Sequence, residues 1–153
     1  MTARALMNDR PIVLHRTDRL RDAAKLILDH HFRNVPVVDE AGRYLGVVSA
    51  NGLLGAVLPK AATMEDGLEG LPFVRDSVGD LRERWEAVEG LPVTDFLETD
   101  LATIGPDASN AETVLTLYRN RTSLPVVDKN TGRLEGIVSH WGVGGAILGR
   151  GRP

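Results

Sequence analysis

Apolar positions fall into two matching successions along the chain. Leu20, Ala23, Ala24, Ile27 and Leu28 keep the i, i+3, i+4, i+7, i+8 spacing of a helix with one buried face, with Thr17 or Asp18 as its cap. Ala111, Val114, Leu115 and Tyr118 repeat the spacing, opened by Ser109-Asn-Ala-Glu112, a capping-box pattern. Each helix is followed by two short β-branched runs: residues 35–38 and 45–48, then 124–127 and 134–138. A short polar turn joins each pair, as in a β-hairpin. Short helices are predicted over 53–58 and 143–148, and extended segments over 12–14 and 101–104. The order β-α-β-β-α therefore occurs twice, a mixed α/β (α+β) chain.

The repeat extends to residue identity. Val35-Pro-Val-Val-Asp39 returns as Leu124-Pro-Val-Val-Asp128, and Gly46-Val-Val-Ser49 as Gly136-Ile-Val-Ser139. Gly42, Gly52, Gly55 and Ala56 match Gly132, Gly142, Gly145 and Ala146. The offset changes from 89 to 90 within the polar turn after the Asp, where an extra residue should do little harm. Boundaries follow: residues 1–58 and 93–149 as two motifs, 59–92 as a linker and 150–153 as a tail. The linker holds eight acidic residues against three arginines and Lys60. Within it, Ser77-Val-Gly-Asp80 reads as a capping box, and Leu81, Trp85 and Val88 recur at helical spacing. A helix over 80–89, anchored by Trp85, is expected.

Composition narrows the function classes. In 153 residues, 42% are hydrophobic and 25% charged, ordinary values for an ordered globular chain, and at this size no separate catalytic domain is expected. There is no cysteine, which excludes disulfides, cysteine-based zinc sites and a cysteine nucleophile, and makes the cytoplasm the expected compartment. A net charge of −3 opposes nucleic-acid binding, and no apolar run reaches the ~18 residues of a membrane span. Neither nucleic acid nor membrane is an expected partner. His30 and His31 are adjacent at a helix end and point about 100° apart, so they cannot chelate a metal together. Around His15 no Ser/His/Asp constellation or carboxylate pair is marked out; no metal and no catalytic residue is assigned.

The doubled unit of an apolar residue, Pro-Val-Val-Asp, a Gly-led strand ending in Ser and a short helix resembles the CBS motif, and the tandem resembles a CBS pair, or Bateman module. The resemblance implies two motifs packed about a pseudo-twofold axis as one disc with two clefts. It also implies regulation by adenosine-type ligands such as AMP, ADP, ATP or S-adenosylmethionine, frequent homodimers, a regulated partner protein, and neither catalysis nor a required cofactor. Carried onto this chain, the ligand-binding candidates are Val13, Leu14, Val35, Pro36, Val37, Ser49, Gly52, Ile104, Leu124, Pro125, Val126, Ser139 and Gly142.

In nucleotide-binding members the turn after the second strand is Ser/Thr-x-x-Asp, whose carboxylate takes the ribose hydroxyls. Here the turns are Ser49-Ala-Asn-Gly52 and Ser139-His-Trp-Gly142, with glycine at both carboxylate positions. Losing a charged acceptor, worth roughly 1.5–3 kcal/mol, predicts a site weaker by one to two decades. The glycines fit close helix packing better than an anion-receptive turn. Ser49 and Ser139 are expected to cap helices; Asn51 offers a neutral amide next to the lost carboxylate position, but the shift of one residue turns its side chain elsewhere. His140 and Trp141 read as a surface side chain and a ring packed on a neighbouring helix, with stacking on a base as the alternative. A ligand-free assembly module is the competing reading of the whole chain.

Overall fold

The computed structural model describes residues 1–59 and 77–150. Linker residues 60–76 and tail residues 151–153 lie outside this range, so the expectations for them do too. In order, the elements are α1 (Ala3–Leu6), β1 (Leu14–His15), α2 (Leu20–His30), β2 (Asn34–Val38), β3 (Tyr44–Ser49), α3 (Ala50–Ala56), α4 (Val78–Val88), a 3-10 turn (Val93–Phe96), α5 (Asn110–Asn120), β4 (Leu124–Val127), β5 (Leu134–Val138) and α6 (His140–Ile147). Both hairpins form with matching registers, Val35 opposite Val48 and Leu124 opposite Val138, and both shift register one residue before their turn. β1 runs parallel to β2. Its counterpart in the second motif shrinks to one parallel bridge, Ile104 to Val126.

Two cores result, one per motif. Leu14, Leu20, Val35, Val37 and Val48 lead the first; Ile104, Leu117, Leu124, Val126 and Val138 lead the second. Each core also takes residues from a segment that precedes the other motif. Ala3 and Met7 enter the second core and Val93 enters the first. The crossing is reciprocal at the backbone. Asn8 exchanges two hydrogen bonds with Ile137 (2.8 and 3.0 Å), and Glu98 does the same with Val47 (2.8 and 3.0 Å). These swapped segments stand 90 residues apart and tie each half to its partner. At the opposite edge the hairpin turns meet: Tyr44 N–H donates to Gly132 O (2.9 Å) and Leu134 N–H to Gly42 O (3.0 Å). Burial there pushes the Tyr44 phenol up to about 12, so it stays neutral.

The linker helix forms as α4, capped by the Ser77–Asp80 box, and Trp85 and Val88 pack on the first core. The chain that follows caps α2. Leu20 and Arg21 donate their free N–H groups to Leu91 O and Glu89 O (2.9 Å each). This corrects the expected Thr17 or Asp18 cap: the N-cap position is Arg19, while Asp18 accepts from His15 N–H (2.8 Å).

Two helix faces differ from expectation. On α2, Leu20, Ala23 and Ile27 are buried, but Leu28 is 70% exposed. On α5 the predicted stripe is reversed: Ala111, Val114, Leu115 and Tyr118 face outward and Thr113 and Leu117 are buried. Thr113 tolerates burial because its hydroxyl donates to Ser109 O (2.8 Å).

The turn after β2 carries an acid-sensitive contact. Asp39 accepts from the backbone N–H of Arg43 and Ala41 and from the Arg43 guanidinium (2.9 Å each). These bonds, led by the Arg43 N–H, hold its carboxyl below the usual carboxylate range. A lowered native value stabilises the fold above the unfolded carboxylate value, and the contribution is lost as pH falls through the native value. Asp39→Asn is expected to lower Tm at neutral pH and to flatten its decline on acidification, read by thermal melts from neutral pH to about pH 3. In the second turn the extra residue changes this: Asp128 accepts from Asn130 N–H (2.8 Å), while Arg133 N–H turns to Thr131 Oγ1 (3.2 Å).

Candidate functional site

Two clefts open between the motifs; β2 and β3 reach the first through Asn34, Val47 and Ser49, and β2 and β5 reach the second through Asn34, Pro36 and Ile137. The first, about 420 Å³, is lined by Ser49, Asn51, Glu98, Asp100, Asn120 and Thr122, among others. The second, about 580 Å³, is lined by residues of both halves, including Ile12, Pro36, Phe32, Ser139, His140 and Trp141. Arg33 and Asn34 border both. Arg33 donates to Arg121 O (2.8 Å), and Asn34 Nδ2 donates to Thr122 Oγ1 and Ser123 O (2.9 and 3.0 Å). The wall between the clefts is thus a seam between the two motifs.

Each serine caps its helix as its position requires. Ser49 Oγ accepts from Gly52 N–H (2.8 Å) and Ser139 Oγ from Gly142 N–H (3.0 Å). In the first cleft the Ser49 hydroxyl also donates to Glu98. A Cβ at position 52 would lie 3.3 Å from Glu98 Oε2, so a carboxylate from the second motif's entry segment occupies the neighbourhood of the glycine. Close packing does not explain the next glycine of the set. A Cβ at Gly55 would meet no atom within 4 Å among the described residues.

Of the residues carried over by resemblance, Ser49 lines the first cleft and Pro36 and Ser139 the second. Gly52 and Gly142 sit at the two capped turns. Leu14, Val35, Val37, Ile104, Leu124 and Val126 belong to the cores, Pro125 is fully buried, and Val13 is half-buried and lines neither cleft. Their side chains fill the interior because the β-strands that carry them are covered by helices.

The clefts also gather residues that spacing alone had set aside. Trp141 is not packed on a neighbouring helix; it is 83% exposed at the rim of the second cleft, beside His140. His30 and His31 line the same cleft, and the His30 ring stacks on Phe32 at 4.9 Å and 10°. His31 closes α2 in the left-handed conformation (φ 57°), as Arg121 closes α5 (φ 60°). Arg33, Asn34, Glu98, Asn120 and Thr122 carried no motif, since each reaches its cleft from a loop, a helix end or, for Asn34, the first position of β2. Among the described residues no group of three His, Asp or Glu could hold a metal ion, and no helix is long and apolar enough to cross a membrane.

Residues 3–59 and 93–143 match the model of the CBS domain. The chain belongs to the CBS-domain family. CBS domain-containing protein CBSX1, chloroplastic, of Arabidopsis thaliana is 36% identical over 53 residues, 35% of this chain and 22% of that protein. CBSX2 from the same plant is 38% identical over 53 residues. The match thus spans about a fifth of the length of these curated relatives. The crystal structure of CBSX2 in complex with AMP covers 97% of this chain and 96% of its own, with 22% identity and a TM-score of 0.69. The CBS domain pair of protein MJ0100, in complex with 5′-methylthioadenosine and S-adenosyl-L-methionine, covers 96% of this chain and 99% of its own, with 16% identity and a TM-score of 0.61. At these identities the structures fix the fold, a tandem CBS module.

Proposed function

We propose that the chain is a cytosolic, homodimeric regulatory module that takes an adenosine-type ligand, with AMP as the reference, in its second cleft. The observation that carries this reading is the make-up of that cleft. Its 580 Å³ combine exposed indole and imidazole rings, suited to stacking on a base, with the Arg33 guanidinium and the Ser139 hydroxyl, suited to phosphate. The CBSX2 complex with AMP and the MJ0100 complex with S-adenosyl-L-methionine support the ligand class. Because the cleft joins both motifs, a ligand that prefers one arrangement of the halves shifts their relative populations. Exposed Leu54, Ile147 and Leu148 (64%, 75% and 69%) support pairing with a second copy, whose contact with a regulated partner protein would report the shift. This reading assigns no catalytic step and no required cofactor.

The glycines at positions 52 and 142 favour the second reading, a ligand-free assembly module. Thermal melts with AMP, ADP, ATP and S-adenosylmethionine separate the two. At about 100 times Kd a ligand adds about 2.7 kcal/mol, or roughly 5–10 °C in Tm. Ser139→Ala is expected to reduce the AMP shift, measured from its own melt, while Ser49→Ala, which loses an equivalent cap, leaves it unchanged. Silence of the whole panel, with a stable dimer by ultracentrifugation, would select the assembly reading.

A further inference from the structure

The clefts are related by the repeat, yet one wall position sets them apart. Glu98 and Asn8 are the swapped-segment residues, 90 positions apart, that pair with Val47 and Ile137. The first cleft therefore receives a carboxylate where the second receives a neutral amide. Glu98 is held at both levels: its backbone by two bonds to Val47, its side chain by the Ser49 hydroxyl. The Ser49 proton is thereby committed to Glu98, and the Ser49 oxygen to Gly52 N–H. Asp100 adds a second acid, and Arg33 is the only cation among the described residues lining this cleft. Around the second cleft stand Arg33, His30, His31 and His140, with no carboxylate among its lining residues. The fixed Glu98 carboxylate, with Asp100 beside it in the lining, calls for a donor-rich ligand and repels an anion.

We propose that the two clefts sort ligands by charge. The first takes a phosphate-free nucleoside-type ligand, uncharged or cationic, whose hydroxyls donate to Glu98; phosphate-bearing ligands are confined to the second. The proposal rests on the adenosine-type reading above and adds a ligand class for the cleft which that reading leaves unassigned.

Adenosine and AMP share base and sugar and differ by the phosphate, so they are the probes. The amides of Gly52 and Gly142, each bonded to its own serine, report the clefts separately in nitrogen-15 NMR titrations of the full chain. Adenosine is expected to move Gly52 at concentrations about tenfold or more below those AMP needs. Glu98→Asn, which copies the second cleft, and the closer isostere Glu98→Gln are both expected to abolish that preference and leave the AMP response of Gly142 unchanged. The proposal is overturned if AMP moves Gly52 as readily as adenosine in the unaltered chain, if both variants keep the preference, or if neither probe moves Gly52 at millimolar concentration. Silence of Gly142 towards AMP contradicts the function proposed above and is read independently of Gly52.

Discussion

Gly136→Val is expected to destabilise the chain by about 3 kcal/mol or more, the upper range of overpacking costs. A Cβ there would lie 2.5 Å from Asn8 O and 2.9 Å from Met7 Sδ. The nearer obstacle is backbone and cannot rotate away. Relief requires the N-terminal segment to lift, which breaks both Asn8–Ile137 hydrogen bonds and withdraws Ala3 and Met7 from the second core. Gly46→Ala repeats the experiment on the other half. Its Cβ would lie 2.8 Å from Glu98 O, and the glycine adopts φ +152°, which a side chain strains. Urea unfolding of the two variants reads the cost of undoing each crossing. Wild-type stability in both would mean that the swapped segments do not hold the halves together.

The second large effect separates the observed face of α5 from the one its periodicity advertises. Leu117→Ala removes a side chain that is 3% exposed in the second core, with an expected cost of about 2–5 kcal/mol. Leu115→Ala, on the stripe predicted to be buried, should change stability by less than about 0.5 kcal/mol. Denaturant midpoints of the two variants decide it. Equal losses would mean that the helix packs through the predicted stripe.

This helix shows where sequence reading stops. The two hairpins and the repeated order of elements were legible because Pro-Val-Val-Asp and Gly-x-x-Ser occur twice in the same order; the exchange of entry segments between the halves was not. The buried face of α5 was not, because Thr113 and Leu117 provide only one apolar landmark, and a threonine bonded to its own helix can be buried at little cost. Outward-facing Val114, Leu115 and Tyr118 supplied a stronger but misleading period. The α2 cap was hidden for a different reason: its partners, Leu91 O and Glu89 O, are backbone atoms some 70 residues away.

The candidate site divides along the same line. Ser49 and Ser139 were legible, since a serine at a strand-to-helix junction has a local task. Glu98 was not, since its value comes from a backbone crossing that only the fold creates. The place of His30 and His31 on the second cleft depends on how α2 ends, not on their spacing. Positions such as Val35 and Leu124 carried the motif and lie in the core, because a continuous apolar β-run marks burial on both faces before it marks contact with a ligand.

Calorimetric titration of AMP into the unaltered chain tests the central claim most directly. The account predicts a single site per chain with micromolar affinity, since no carboxylate lines the second cleft, whereas Glu98 and Asp100 refuse the phosphate in the first. Absence of heat and of any Tm shift up to millimolar AMP, or two equal sites per chain, would contradict it.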